Sequence, residues 1–89
     1  MQFEWDEEKA QSNLVKHGIT FDYGTLVFED VNRLDRLDER NYDEDRWLTI
    51  GLVEGRELAV VYTVRSNYIR VISARKAEHR ERRDYWKDR

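Results

Sequence analysis

The stretch Ser73-Ala74-Arg75-Lys76 places two cations directly behind a residue suited to cap a helix. A helix that begins at Ser73 holds Arg75 and Lys76 in its first turn, where each cation opposes the helix dipole by a few tenths to about 1 kcal/mol. Stability alone favours Asp or Glu at such positions. Unpaired N–H groups, a partial positive pole and two cations together make an anion site, and phosphate is the obvious anion. The structural alternative pairs both side chains with Glu57 or Glu78. Arg70 interrupts an apolar strand on the face of Tyr68 and Ile72, and Glu81 interrupts the Ala77/Tyr85 stripe of the last helix. An Arg70–Glu81 salt bridge between sheet and helix accounts for both, and a functional role is compatible with it. Arg65 ends the preceding strand, where it either reaches the face of Arg75 or stays solvated. His17, in Lys16-His17-Gly18, suits a helix C-terminus. It is also the side chain whose ordinary pKa lies nearest neutrality, and so an acid–base candidate. Tyr62, Tyr68 and Tyr85 suit base stacking or a core, with core favoured for Tyr62. His79 sits in the basic run EHRERR and is expected to be exposed.

The elements that must position these residues fit one domain over 1–89. Charged residues make up 39% of the chain, yet the formal net charge is −3. The balance is uneven: residues 65–89 carry nine Lys and Arg against four acids, while 1–64 carry seven against fifteen. That asymmetry points to nucleic acid near the C-terminal quarter, or to a solvated face of mixed charge. There is no cysteine, which excludes disulfides and fits a reducing compartment. No metal-ligand spacing, glycine-rich phosphate loop or nucleophile elbow is present, so neither metal nor cofactor is expected. The run LAVVYTV at 58–64 is too short to span a bilayer, and the opening MQFEW has no basic, apolar pattern, so no signal peptide is expected. A cytoplasmic protein is expected.

The opening MQFEW reads as a short strand. Asp6 is an N-cap with Glu7 and Glu8 in the first turn, and Gly18 closes a helix that ends about His17. Its inward stripe is Ala10, Asn13, Leu14 and His17. Thr20 caps a shorter helix to about Phe28, weakened at Gly24 by about 1 kcal/mol relative to Ala. Residues 29–46 are heavily charged, with RLDRLDE a possible edge strand. WLTIGLV (47–53), ELAVVYTV (57–64) and YIRVIS (68–73) form an antiparallel meander, the second of them covered on both faces. Ser73 then caps a helix to about Lys87. The expected class is α+β: a small antiparallel sheet of three to four strands with two N-terminal helices and a C-terminal helix.

FEWDEEKAQSNLVKHGITF, VFED, ERNYDEDRWLTIG, LAVVYTVR and IRVISARKAEHRERRDY together resemble the BrnT family of toxins from bacterial toxin–antitoxin pairs, over about 3–85. The most specific parts are the opening Trp5-Asp6, Lys9, Asn13 and Lys16-His17-Gly18, and the close Arg70, Ser73-Ala74-Arg75, Ala77, Glu81 and Tyr85. Val31 stands where relatives often carry proline. The resemblance implies a RelE-like fold and endoribonuclease activity that cleaves RNA and inhibits translation and growth. It also implies a BrnA-like antitoxin with a ribbon-helix-helix DNA-binding domain, which joins the toxin in a hetero-oligomer and carries it to operator DNA. A non-catalytic module that binds the antitoxin in operon autorepression is the alternative, and the acidic segment 29–46 suits capture of a basic arm.

Metal-free RNA cleavage needs a base for the 2′-OH, a proton for the leaving 5′-oxygen, and cations against the phosphate. Arg75 and Arg65 are the expected phosphate stabilisers, since a planar guanidinium grips two oxygens. His17 is the expected acid or base, with Glu81 as an alternative base or as the group that orients an arginine. Lys76, Arg70, Lys16, Lys9 and Tyr85 are the candidates for holding the RNA.

Overall fold

The computed structural model describes residues 1–38 and 44–87. Strand β1 (Gln2–Glu4) leads into helix α1 (Glu7–His17), helix α2 (Phe21–Thr25) and a 3-10 turn at Leu26–Glu29. Strands β2 (Leu34–Asp38), β3 (Arg46–Val53), β4 (Arg56–Arg65) and β5 (Tyr68–Lys76) follow, and helix α3 (His79–Trp86) closes the chain. The sheet has five strands in the order β1-β5-β4-β3-β2. Strands β2 to β5 run antiparallel, as the meander predicts, but β1 joins β5 in parallel, so the sheet is mixed and larger than expected. The opening strand was expected, but its pairing with a strand more than sixty residues away leaves no local turn signal, so its place in the sheet was not. No helix among the described residues is long and apolar enough to cross a membrane.

The start of the chain folds by capping. The Asp6 carboxylate accepts from the backbone N–H groups of Glu8 and Lys9, and Gly18 ends α1 at φ 70°, a left-handed conformation that costs glycine little. Thr20 Oγ1 accepts from the Tyr23 N–H. The second helix lasts only to Thr25 and then tightens into the 3-10 turn, short of the single helix expected to Phe28. Gly24 explains that path by contact: a Cβ there would lie 2.8 Å from the Ala74 Cβ, so glycine lets α2 lie directly on β5.

The sheet buries both faces. On one, Val27, Leu58, Val60, Val71 and Ala74 pack under α1 and α2 with Ile19 and Phe21. On the other, Ile50 and Ala59 pack against Ala77 and Tyr85. Strand β4 is buried from Leu58 to Thr63, the doubly covered strand its apolar run predicted. Tyr62 is core, its hydroxyl 3.2 Å from Asp35 Oδ1. The Glu54-Gly55 turn has positive φ at both residues, as a tight hairpin requires. The predicted edge strand is β2, whereas the expectations for 39–43 lie outside the described residues.

One expectation fails outright. Ser73 is not a helix cap: Ser73, Ala74, Arg75 and Lys76 all belong to β5. They pair in register with Val61, Val60, Ala59 and Leu58, so the long ladder to β4 carries the strand past the local cap signal. The helix begins at His79 behind Glu78, with Glu81 Oε1 accepting from the Glu78 N–H at 2.8 Å.

Candidate functional site

Because opposite residues of a ladder share a face, the register sets Arg36, Arg65, Arg70 and Arg75 on the same side of the sheet, the side that α3 partly covers. Each meets an acid: Arg36 with Asp84, Arg65 with Glu44, Arg70 with Glu4 and Arg75 with Glu81. The least exposed of these pairs is that of Arg75. Its Nη1 and Nη2 donate to Glu81 Oε1 and Oε2 at 2.8 and 2.9 Å, a bidentate fork, and the two side chains are 21% and 13% exposed. Glu78 lies 3.5 Å from the same Nη1. With SARK in a strand, Arg75 and Lys76 no longer oppose a helix dipole, and the helix-terminus anion site expected there does not exist.

Burial pushes the Glu81 carboxyl up, but hydrogen bonds from Arg75 and the Glu78 N–H, with the charges of Arg75 and Arg36, outweigh it and hold the group below the ordinary carboxylate range. A carboxylate so stabilised is a weak proton acceptor. Glu81 is built to hold Arg75. The Arg70–Glu81 bridge is replaced by Arg70–Glu4, because parallel pairing puts Glu4 directly beside Arg70.

His17 ends α1 half-buried, beside a cleft of about 350 Å³ between α1 and β5. The α1 wall is Glu8, Lys9, Ser12, Asn13, Lys16 and His17, and Ile72 and Ser73 of β5 form the other wall. The cleft stays rigid through Asn13, which is 6% exposed. Its Nδ2 donates to the Ile19 and Ala74 carbonyls at 2.9 and 2.8 Å, and its Oδ1 accepts from the Ala74 N–H at 3.1 Å. Burial, then the charges of Lys16 and Arg75, lower the His17 pKa, so the imidazole is neutral at neutral pH. Ser73 and Arg75 are two apart on β5 and share a face, about 7 Å along the strand. The end of α1 and Arg75 therefore border the same outer edge of β5, close enough for the Arg75 charge to act on His17.

Other predicted site residues stand elsewhere. Arg65 is exposed, and six residues of β4, about 20 Å, separate it from Ala59, the neighbour of Arg75. It does not share a phosphate with Arg75. Tyr85 is 2% exposed, with its hydroxyl on Asp30 Oδ2 at 2.5 Å, so it is core and offers no ring to a base. Lys76 is exposed at the end of β5, and His79 is exposed at the start of α3. Lys9 and Lys16 flank the cleft. Of the inward stripe on α1, Asn13 is buried but Leu14 is 40% exposed. Sequence reasoning passed over Ser12, took Ser73 for a helix cap and Ile72 for a neighbour of Arg70, and read Asn13 as a stripe and motif position without its backbone hydrogen bonds. The signal for Ser12 was its spacing, three after Lys9 and four before Lys16.

A family model described as the ribonuclease toxin, BrnT, of a type II toxin–antitoxin system matches residues 5–81. The chain belongs to this family. No curated protein matches it. The BrnT match spans the whole of α1, the cleft and the Arg75–Glu81 pair. Membership places the protein among ribonuclease toxins that work beside an antitoxin. Among the described residues, no group of three His, Asp or Glu side chains is placed to hold a metal ion.

Proposed function

We propose that this BrnT protein is a metal-independent endoribonuclease that acts in the cytoplasm, cleaves RNA and so halts translation and growth. A DNA-binding antitoxin of the BrnA-like, ribbon-helix-helix type neutralises it, and the pair represses its own operator. The observation that carries the reading is that an Arg75 guanidinium fixed by Glu81 borders the edge of β5 where its charge acts on His17 at the end of α1.

The chemistry follows from those two groups. Neutral His17 takes the proton of a ribose 2′-OH, whose oxygen then attacks the adjacent phosphorus. The P–O5′ bond breaks, leaving a 2′,3′-cyclic phosphate, and the 5′-oxygen takes a proton from the imidazolium or from water. Arg75 offsets charge that builds on the phosphate oxygens, and Glu81 keeps the guanidinium in place so that little reorganisation accompanies the reaction. Arg65 and Arg70, at the other end of the sheet, act on the rest of the RNA strand.

The non-catalytic reading has one observation in its favour: Glu81 already occupies two donors of Arg75. Incubating the purified chain with RNA in EDTA separates the two. The nuclease reading expects cleavage, lost in Arg75→Ala, and growth arrest when the wild-type chain is expressed without its antitoxin. Arrest with no RNA cleavage sinks the nuclease reading, and full activity in Arg75→Ala sinks the site.

A further inference from the structure

We infer that the α1–β5 cleft seats one unpaired nucleotide of the RNA beside the bond that is cut, so that the toxin acts on single-stranded segments. The inference rests on the nuclease reading and adds the form of RNA the site accepts.

The side chains that line the cleft differ from the cations elsewhere on the protein. Lys9, Ser12, Lys16 and Ser73 line it, yet among the described residues none has a side-chain hydrogen bond or ion pair, whereas the arginines of the sheet face each meet an acid. Lys9, Ser12 and Lys16 are spaced i, i+3 and i+7, so one helix face presents ammonium, hydroxyl and ammonium in a row. Lysine ammonium groups and serine hydroxyls are among the side chains that donate to the phosphate oxygens of a nucleic-acid backbone. The half-buried Ile72 supplies the opposite wall with an apolar surface for a base. Asn13 at the base of the cleft has already committed its amide to backbone groups, so it fixes the cleft's width and does not compete for the ligand. Glu8 is the single acid among the lining residues.

Size and shape select the ligand. A volume of about 350 Å³ is near the lower end of small-molecule sites, enough for one nucleotide unit. An RNA duplex keeps its bases stacked inside and shows a wide, shallow minor groove, so it has nothing to insert into such a recess. An unpaired nucleotide turns its base out freely. With His17 in the same wall, the nucleotide in the cleft is the one next to the reacting 2′-OH.

The test uses a 2′-O-methyl RNA hexamer, which binds without being cut, followed by fluorescence anisotropy across a salt series. Lys9→Gln/Lys16→Gln is expected to weaken binding at least tenfold. It should also flatten the slope of log K against log salt by roughly 1.4, from about 0.7 per phosphate contact on a single strand. Ser12→Phe, which fills the cleft from an exposed helix position, is expected to weaken binding with the slope kept. The hexamer annealed to its complement should bind at least tenfold more weakly than the single strand, and a hairpin RNA should be cut in its loop. An unchanged slope in the lysine variant overturns the cleft, as does equal binding or cutting of duplex, or an acidic peptide that competes as strongly as RNA. If the wild-type chain binds the hexamer as expected but cuts no RNA, the nuclease reading falls and the cleft stands. If cutting persists while the lysine variant binds like wild type, the cleft falls and the nuclease reading stands.

Discussion

Two positively charged regions of this protein sit on either side of β5, and they are built in opposite ways. On the sheet face, arginines are matched with acids, and the fork to Glu81 fixes the geometry of Arg75. In the cleft, lysines and serines have no partner among the described residues, around an asparagine held by three backbone hydrogen bonds. Fixed cations suit a transition state, because they cost no reorganisation when charge develops. Unpaired, mobile ammonium groups suit ground-state capture of a backbone, which is a matter of charge and counterion release. Counting bases along the sequence favours the C-terminal quarter, but among the described residues the lysines without an acidic partner that line a cleft lie beside α1.

The sharpest break in the comparison is Arg75. Its loss to alanine is expected to slow single-turnover RNA cleavage by about 100-fold or more, whereas Arg65→Ala or Arg70→Ala should cost less than about threefold. Arg75→Lys should not rescue, because an ammonium cannot repeat the fork to Glu81. Equal losses at all three arginines would erase the distinction between Arg75 and the rest of the face. Next in size is Asn13→Ala, which leaves buried backbone groups of Ile19 and Ala74 unsatisfied. It should cost about 3 kcal/mol and lower the melting temperature by more than about 10 °C.

Gly24→Ala follows. Its Cβ would press on the Ala74 Cβ, so α2 must shift, at about 1–3 kcal/mol by denaturant unfolding. The pH dependence is smaller still. Because the folded pKa of His17 lies below its ordinary value of 6.5, kcat/KM should fall about tenfold per unit as pH drops below that folded pKa, and His17→Gln should flatten this limb. The same shift makes the His17 contribution to stability full above about pH 6.5 and lost as pH falls through the folded pKa. The least effect belongs to Arg36→Ala. Its exposed pair with Asp84, at 3.4 Å, should contribute under about 1 kcal/mol in thermal melts.

What was legible in the sequence was local. Asp6, Gly18 and Thr20 announce their helix ends because each acts within a few residues. The β3–β4 hairpin announces itself by a tight turn between apolar runs. What was not legible depends on partners far along the chain. Ser73 looks like a cap until β4 supplies ladder bonds as far as Leu58. Arg70 looks destined for Glu81 until β1 places Glu4 beside it, which leaves Glu81 for Arg75. Likewise Tyr85, a stacking candidate from its type, is sealed in by Asp30, a residue of the charged stretch that periodicity assigned no role. His17 keeps both of its readings: Gly18 does end the helix there, and the imidazole still stands at the cleft.

Strand β1 covers β5 only as far as Arg70, so the backbone from Val71 to Lys76 lies along the rim of the sheet, with no strand on its outer side among the described residues. A rim of that kind is a template on which another chain can add a strand. The Asn13 carboxamide, offering one donor and one acceptor to Ala74, occupies it in the manner of a single borrowed peptide group. A variant that folds without this plug is therefore expected to assemble edge to edge as its concentration rises, with β5 as the growing seam.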